Sequence, residues 1–133
     1  MKRRIFLVLG VVIAIIAGAA SPALASSHTC RFAKACFAVN GSGSRVNTVA
    51  MWLDDNNPTS SISGHVQARW RAGGVDRFKN STEKTIGKSF YPIVLALNVT
   101  VDANTYVCGR FWHWNGSSWT LPFGDWQCIL TNP

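Results

Sequence analysis

The chain has 133 residues, of which 47% are hydrophobic, and its 13 Lys and Arg outnumber its 6 Asp and Glu. One domain of ordinary size accounts for this length, which argues against a multidomain protein. A small single domain buries only a modest fraction of its surface, so covalent cross-links would matter to its stability, and the four cysteines can supply them.

The N-terminus has the three parts of an export signal. Residues 1–4 form a positively charged segment with Lys2, Arg3 and Arg4, residues 5–20 are apolar and uncharged, and residues 21–25 end in Ala-x-Ala. This pattern predicts a bacterial precursor that is cleaved after Ala25 and releases residues 26–133 as a secreted, extracellular protein. The arginine pair also fits a twin-arginine signal, but the strongly apolar core favours the general secretory route. No second apolar segment of about 20 residues follows, so we expect no transmembrane anchor in the mature form.

The mature domain of 108 residues keeps a net charge of +4 and all four cysteines. An oxidising exterior favours two disulfides among Cys30, Cys36, Cys108 and Cys128. A zinc site is not expected, since there is no Cys-x-x-Cys pair and no closely spaced His–Cys pair. The positive excess lies within Arg69–Lys88. It can attract acidic partners such as wall polymers, anionic lipid or nucleic acid, or it can simply keep the surface soluble.

Apolar side chains alternate with a period of two along the mature chain, which predicts an all-β protein. His65–Ala72 is the clearest half-buried strand, and Ile93–Val101 predicts another. Ala35–Val39 and Val46–Leu53 are apolar on both sides, a pattern typical of central strands covered on both faces. Two stretches rich in Ser, Asn, Gly and Pro predict loops, the second with room for a short strand: 54–64 and 73–87.

The C-terminal part predicts a β-hairpin. Its strands are Tyr106–Trp114 and Trp119–Leu130, and its turn is Asn115–Ser118, where Asn-Gly readily adopts positive φ. Leu121–Asp125 contains proline and glycine and predicts an interruption of the second strand. About seven short strands with turn signals between them favour a single antiparallel β-sandwich.

One segment resembles a family signature. The residues from Asp102 through Tyr106 to Cys108 resemble the Asp-x-Gly/Ala-x-Tyr-x-Cys pattern of immunoglobulin-like domains. The resemblance implies that Tyr106 makes a corner contact, and that Cys108 bonds to Cys36 across the two sheets beside a buried Trp52. It implies a fold and not a function, because such sandwiches carry many unrelated roles.

The resemblance also implies the disulfide pairing. With Cys36–Cys108 crossing the sandwich, Cys30–Cys128 remains as the second bond between the first and last strands. The rival pairing is Cys30–Cys36 with Cys108–Cys128, which closes two local loops. We favour the crossed pairing because bonds between distant segments constrain the unfolded chain more.

The sequence lacks the common motifs of enzyme active sites. The histidines of the mature chain are His28, His65 and His113, and no His-Glu-x-x-His, Gly-x-Ser-x-Gly or phosphate-binding glycine loop occurs. Asp54 and Asp55 are adjacent, so on a strand their carboxylates would point to opposite faces. We therefore expect a protein that is not an enzyme and has no catalytic residue, cofactor or metal.

The tip of the C-terminal hairpin is a candidate binding surface because it holds three tryptophans within eight residues. Five residues there could contact a ligand: Trp112, His113, Trp114, Asn115 and Trp119. Their rings could stack on sugars or side chains while His and Asn supply hydrogen bonds. Alternatively, the tryptophans pair across the strands as part of the core. Alternation assigns Trp52 and Trp70 to the core, and Trp126 is expected to pack beside Cys128.

Arg69 and Arg71 project from one face of a strand and form a second candidate surface, suited to a polyanion. Nucleic acid is an unlikely partner on this reading, because Trp70 alternates to the opposite face and leaves no aromatic ring among the arginines.

We expect a secreted protein, monomeric on its own, that binds an extracellular glycan or partner protein, or serves as a subunit of a secreted assembly. The alternative is an inhibitor or toxin-like antagonist with a rigid loop that enters a partner's cleft. A flat aromatic platform at the tip would favour a glycan, and a protruding polar loop would favour a cleft.

The export signal predicts the N-terminus of the released protein. N-terminal sequencing of secreted material should begin at Ser26, because signal peptidase cleaves after the Ala-x-Ala pattern. Released protein that still carries residues 1–25 would contradict the prediction.

Overall fold

The computed structural model describes residues 27–131, so the predicted leader and its cleavage site lie outside the described residues. Within them every regular element is a β-strand, which confirms the all-β prediction. The strands of this part of the chain are β1 (Ser27–Cys30), β2 (Ala35–Ser42), β3 (Arg45–Leu53), β4 (Ser61–Ala72), β5 (Val75–Asn80), β6 (Lys84–Gly87), β7 (Ile93–Thr100), β8 (Thr105–Trp114), β9 (Trp119–Thr120) and β10 (Gln127–Thr131). None of the described residues belongs to a helix that could cross a membrane.

The strands form two antiparallel sheets. The smaller has the order β1-β2-β3-β7, and the larger has the order β10-β8-β4-β5, with β6 paired to β4 and β9 paired to β8. The described residues thus hold ten strands rather than about seven. The difference arises partly because the predicted loop 73–87 contains β5 and β6. It also arises because the interruption expected at Leu121–Asp125 divides the last strand into β9 and β10.

The two sheets pack around a shared core. Phe37 and Met51 from the smaller sheet and Val66 and Phe111 from the larger are almost fully buried. Gly109 of β8 faces the ring of Phe37, and a Cβ atom at that position would overlap the ring. Close contact between the sheets therefore depends on a residue without a side chain at position 109.

Arg31 fastens the N-terminal segment to the segment between β9 and β10. Its guanidinium donates hydrogen bonds to three carbonyl oxygens, those of Phe123 at 2.9 Å, Asp125 at 2.8 Å and Trp126 at 2.8 Å. A charged planar donor that satisfies several backbone acceptors holds an irregular segment in one conformation. The position of Trp126 is thus fixed from a residue more than 90 positions earlier in the chain.

The disulfides are Cys30–Cys36 and Cys108–Cys128, so the crossed pairing Cys36–Cys108 with Cys30–Cys128 is wrong. Each bond joins directly opposed residues on neighbouring strands of one sheet. The physical reason is the direction of the side chains. Neighbouring residues of β2 and β8 fill the core, so both central cysteines point to the outer faces of their sheets.

Two other residues singled out by the immunoglobulin-like resemblance lie on solvent-facing sides of the sheets and not in the places that it implies. Tyr106 is 57% exposed on the outer face of the larger sheet. Trp52 is half-buried beside Cys36 on the outer face of the smaller sheet, so its assignment to the core is wrong. Trp70 is a core residue, as predicted. An immunoglobulin-like topology is therefore not confirmed.

The apolar runs of β2 and β3 have a different cause from the one predicted. Their inward residues belong to the core, but small residues such as Ala38 and Ala50 are half-buried on the opposite face. Small apolar side chains on a half-exposed face produce the same uninterrupted pattern as a strand covered on both sides. The prediction that both faces are covered is wrong.

The two disulfides should differ in their contribution to stability. Cys108 and Cys128 are 20 residues apart and Cys30 and Cys36 are 6 apart. In the loop-entropy model, replacing the first pair by alanine costs about 3 kcal/mol and replacing the second costs about 2 kcal/mol. Denaturant unfolding of the two double variants measures this order. Non-reducing peptide mapping that linked Cys36 to Cys108 would contradict the pairing itself.

Candidate functional site

Both candidate surfaces lie on one side of the molecule, the solvent-facing side of the larger sheet, here called the outer face. Pairing of β4 with β8 places His65 opposite Trp112, and Arg69 opposite Cys108. These side chains point away from the core because the alternate residues of both strands fill it. Five large exposed apolar residues share this face: Phe78, Tyr106, Trp114, Trp119 and Leu130. Trp114 and Trp119 are in contact at one end of the face, and Tyr106 and Leu130 are paired towards the other.

The tip of the hairpin presents tilted rings rather than a flat platform. Trp114 and Trp119 are directly opposed, are 46% and 47% exposed, and their ring centroids lie 5.5 Å apart at 60°. The ring of His65 meets Trp119 edge-on at 4.9 Å and 74°. Both geometries are favourable for aromatic pairs. Trp114 and Trp119 therefore pair across the strands as the alternative predicted, but they are half-exposed and their assignment to the core is wrong.

Two open depressions, here called the aromatic grooves, lie on either side of Trp119. The first, of about 220 Å³, is lined by His65, Trp112 and Trp119. The second, of about 420 Å³, is lined by Ser63, Glu83, His113, Trp114 and Trp119. Trp119 belongs to both, so its ring can contact a ligand in either groove. Hydrogen-bonding groups beside aromatic rings are typical of small-ligand sites.

The turn that joins β8 to β9 is closed by its own first residue. The Asn115 Oδ1 atom accepts hydrogen bonds from the Ser117 backbone nitrogen, the Ser117 hydroxyl and the Ser118 backbone nitrogen, at 2.9–3.0 Å. Asn115 was expected to contact a ligand, but the structure uses its carbonyl oxygen to form the turn. The flanking tryptophans are consequently held in place before any ligand binds.

The grooves contain two histidines, His113 with a tautomer set by a hydrogen bond and His65 with a pKa shifted by burial. His113 Nδ1 lies 2.7 Å from the carbonyl oxygen of Ser63. A carbonyl only accepts, so Nδ1 carries the hydrogen and Nε2 is the nitrogen available to a ligand. Burial lowers the pKa of His65, and Glu83 offsets this only in part. His65 is therefore neutral at pH 7, and its groove is apolar in character.

A stack of aromatic and guanidinium groups runs from the grooves towards Arg69. Trp112 is half-buried, and its indole nitrogen donates to Gln67 Oε1 at 3.1 Å. The Arg110 guanidinium lies 4.6 Å from the Trp112 centroid and 4.1 Å from the Trp126 centroid. The Arg69 guanidinium also lies over Trp126, at 4.6 Å. Trp70 points into the core as predicted, but other aromatic rings, Trp112 and Trp126, share the arginine face.

Sequence reasoning missed Arg110, Phe78 and Trp126. Arg110 could have been assigned to the same face as Trp112, because the two residues alternate on a strand that was correctly predicted. Phe78 lay in a stretch assigned to a loop, and it is β5 that places it opposite Arg69. Trp126 lies between β9 and β10, where no periodicity indicates a side chain's direction, and Arg31 fixes its segment from a distance.

The arginines differ in how far their charges are neutralised. Arg110 pairs with Asp125 at 3.0 Å, and this hydrogen bond lowers the pKa of Asp125. Arg71 pairs with Asp76 at 3.0 Å, with both side chains about half exposed. Neither ion pair found among residues 27–131 includes Arg69. Arg69 therefore keeps an uncompensated positive charge on the outer face.

Asp102 fixes the turn between β4 and β5. Its two carboxylate oxygens accept hydrogen bonds from the backbone nitrogens of Gly73 and Gly74, each at 2.8 Å. Both glycines have positive φ, which a residue with a side chain adopts only at a cost. The Gly74 and Gly73 hydrogen bonds hold the pKa of Asp102 below its usual value. The strands that carry Arg69, Arg71 and Asp76 are thereby joined by a defined turn.

Asp54 and Asp55 do not form an acid–base pair. Asp54 accepts a hydrogen bond from the Ala33 backbone nitrogen at 2.8 Å, which lowers its pKa. Asp55 is exposed. Asp54 also lies close to Cys30 and Cys36, but both sulfurs are in a disulfide and cannot act as thiolate ligands. The two aspartates line a depression of about 490 Å³ away from the outer face.

The chemistry of the outer face suits non-covalent recognition. It combines apolar ring surfaces, hydrogen-bonding groups and one uncompensated guanidinium. Comparisons with protein-family models, with curated proteins and with solved structures found no match. A function for this chain is therefore argued from the surface itself.

The Asp102 turn predicts a pH-dependent stability. Asp102→Asn should lower the melting temperature at neutral pH, because the two glycine nitrogens lose an ionised acceptor. A carboxyl with a depressed pKa stabilises the fold above the usual aspartate range and loses this effect as the pH falls through its folded pKa. The difference between wild type and variant should therefore shrink below about pH 4.

Thermal unfolding across the acidic range measures this difference, and the exposed Asp55→Asn is the matched control. A destabilisation that stayed constant down to the lowest pH would contradict the role of the ionised carboxylate.

Proposed function

We propose that the protein is an exported binding module that recognises a glycan through the aromatic grooves around Trp119. The observation that carries the proposal is the position of Trp119: a half-exposed ring at the boundary of two open grooves, on a tip whose turn is already closed. Retaining such a ring at the surface leaves apolar area in water, which a bound ligand would remove.

A sugar ring matches the groups that line the grooves. Its C–H face is apolar and can lie on an indole ring, while its hydroxyls need donors and acceptors at the rim. Glu83 supplies acceptors, and His113 Nε2 supplies a further polar atom in the same groove. Trp114 and Trp119 lie at 60° to each other, so they do not form the flat platform expected of a glycan site. Tilted rings can instead stack on successive sugars of a single bent chain.

The closed turn means that the tip is ordered before a ligand binds. Ordering side chains on association costs free energy, and a tip that is already ordered avoids much of that cost. The hydrogen bonds to Asn115 and the cross-strand contact of Trp114 with Trp119 both contribute to this order.

A secreted antagonist of another protein is the second candidate. The observation in its favour is the rigid four-residue turn at the tip, Asn115–Ser118, which could enter a cleft. The grooves, however, are lined by β4 residues such as Ser63 and His65 as well as by tip residues. They therefore lie along the side of the sheet and not at the apex of the turn, which favours a chain lying along the face.

Export and a monomeric state are part of the proposal. The leader-like N-terminus motivates export, and two disulfides suit an oxidising compartment. The proposal does not require an immunoglobulin-like topology, because antiparallel sheets of several topologies carry binding surfaces on an outer face.

Trp119→Ala should lower affinity for the bound glycan about five- to thirtyfold, since the loss of one stacked ring costs roughly 1–2 kcal/mol. Tyr91→Ala is the matched control, because Tyr91 is 93% exposed and lies outside the grooves. Binding is measured by calorimetry on hits from a screen of soluble neutral and acidic oligosaccharides. Trp119→Phe should restore part of the affinity.

Two results would reject the glycan assignment. One is a screen in which no oligosaccharide binds, and the other is an equal loss of affinity in the Tyr91 and Trp119 variants. Loss of binding to a protein captured from culture supernatant, with no glycan bound, would favour the antagonist.

A further inference from the structure

A third depression on the outer face, here called the anion pocket, has a volume of about 330 Å³. Its polar lining consists of Arg69, Arg71, Asp76, Asn104, Thr105 and Tyr106. Two guanidiniums and one carboxylate give the pocket a net positive charge. The disulfide sulfur of Cys108 forms part of its floor, 3.6 Å from Arg69.

Arg69 is prepared to bind an anion. Its guanidinium lies over the Trp126 ring in a cation–π contact, and one Arg69 nitrogen donates a hydrogen bond to the Cys108 sulfur at 3.6 Å. The remaining N–H donors of the guanidinium face no carboxylate of residues 27–131 and are available to a ligand. A guanidinium presents several donors in a planar fork that matches a carboxylate or sulfate. Since neither ion pair of residues 27–131 includes Arg69, an incoming anion needs to displace no carboxylate from it.

The other polar groups of the pocket differ in whether they can bind an anion. The Thr105 hydroxyl donates to the Asp102 carbonyl oxygen at 2.7 Å, so its hydrogen is already used. Tyr106 is exposed, and its hydroxyl can donate to a ligand. Asp76 opposes an anion, and it competes for Arg71 through the 3.0 Å ion pair. Arg69 is therefore the arginine available to an anion, while the charge of Arg71 is neutralised by Asp76.

The anion pocket and the aromatic grooves are within reach of one extended chain. Trp114 and Cys108 lie on the same strand six residues apart, and a rise of about 3.4 Å per residue separates them by roughly 20 Å. The stack of Trp112, Arg110 and Trp126 lies between the two sites. A polymer along β8 would therefore contact both.

We infer that the ligand is an acidic polysaccharide, whose carboxylate or sulfate group binds Arg69 in the anion pocket while its sugar rings occupy the aromatic grooves. This inference rests on the proposed glycan-binding function and names the class of glycan. The excess of basic residues within Arg69–Lys88 adds a positive field that attracts such a polymer.

Single-stranded nucleic acid also combines negative charge with groups that stack, but the rings beside the arginines are poorly suited to bases. Guanidiniums lie over both Trp112 and Trp126, and the bases of nucleic acid need open ring faces. The open rings of the face lie in two separate places: Trp114 and Trp119, tilted by 60°, are at one end, and Phe78 and Tyr106 flank Arg69 at the other. Between them the rings of Trp112 and Trp126 are covered by guanidiniums, which interrupts a continuous run of stacked bases.

The test compares polygalacturonate, dextran sulfate, uncharged dextran and single-stranded DNA as probes, at low and at near-physiological salt. Arg69→Gln should weaken binding of the acidic polysaccharides at least tenfold and flatten its salt dependence, and should affect a neutral oligosaccharide far less. The ratio of the polygalacturonate and dextran sulfate affinities tells whether a carboxylate or a sulfate is preferred.

Two further variants separate a specific pocket from a general charge effect. Asp76→Asn should strengthen binding of the acidic probes, because it releases Arg71 and removes a repulsive carboxylate. Arg77→Gln removes the same charge as Arg69→Gln, but Arg77 lies on β5 opposite Trp70 of β4 and is outside the anion pocket. It should change affinity little.

Equal losses in the Arg69 and Arg77 variants would overturn the pocket, and so would DNA that binds more tightly than every acidic polysaccharide. The two proposals fail separately. If Trp119→Ala abolishes glycan binding while Arg69→Gln leaves the preference for acidic probes intact, only the anion pocket is rejected. If Trp119→Ala has no effect on any glycan, the proposed function itself is rejected.

Discussion

The outer face depends on the register between β4 and β8, the two strands at the centre of the larger sheet. This pairing sets His65 opposite Trp112, Gln67 opposite Arg110, and Arg69 opposite Cys108. A slip of one residue would turn the inward set of either strand to solvent, so burial of the core enforces the register. The same constraint that closes the core therefore arranges the surface.

Gln67 shows how closely the outer face is connected. Its side-chain oxygen accepts hydrogen bonds from the indole of Trp112 at 3.1 Å and from Arg110 Nε at 2.9 Å. Arg110 is thereby held between Trp112 and Trp126, with Asp125 balancing its charge. Each group in this row limits the freedom of the next, which is how exposed side chains acquire a fixed geometry.

Alternation along the chain predicted most of the strands because it reports burial directly. The strands carrying Arg69, Trp112 and Ile93 were all anticipated, and so was the interruption at Leu121–Asp125. The error lay in the cysteines. A Cys side chain can point to either face of a strand. Phe37 beside Cys36 fills the core and so indicates that Cys36 points outward, but the crossed pairing followed the immunoglobulin-like resemblance instead.

The candidate site was predicted in pieces rather than as a surface. Trp114, Trp119 and Arg69 were all singled out, but no local pattern indicated that they share one face. The link depends on strand pairing between residues far apart in the chain, as in Arg69 and Cys108, which are separated by 39 positions. Trp126 depends on the still longer contact with Arg31, which no periodicity encodes.

The reach of Arg31 bears on how the molecule is made. Its three acceptors belong to Phe123, Asp125 and Trp126, which are synthesised more than 90 residues after Arg31. The guanidinium can therefore reach all three partners only after residue 126 has been made. Under the proposed function, biosynthesis itself delays the ligand-binding surface: a nascent chain still short of Trp126 carries the tryptophan hairpin but not the ring on which Arg69 rests.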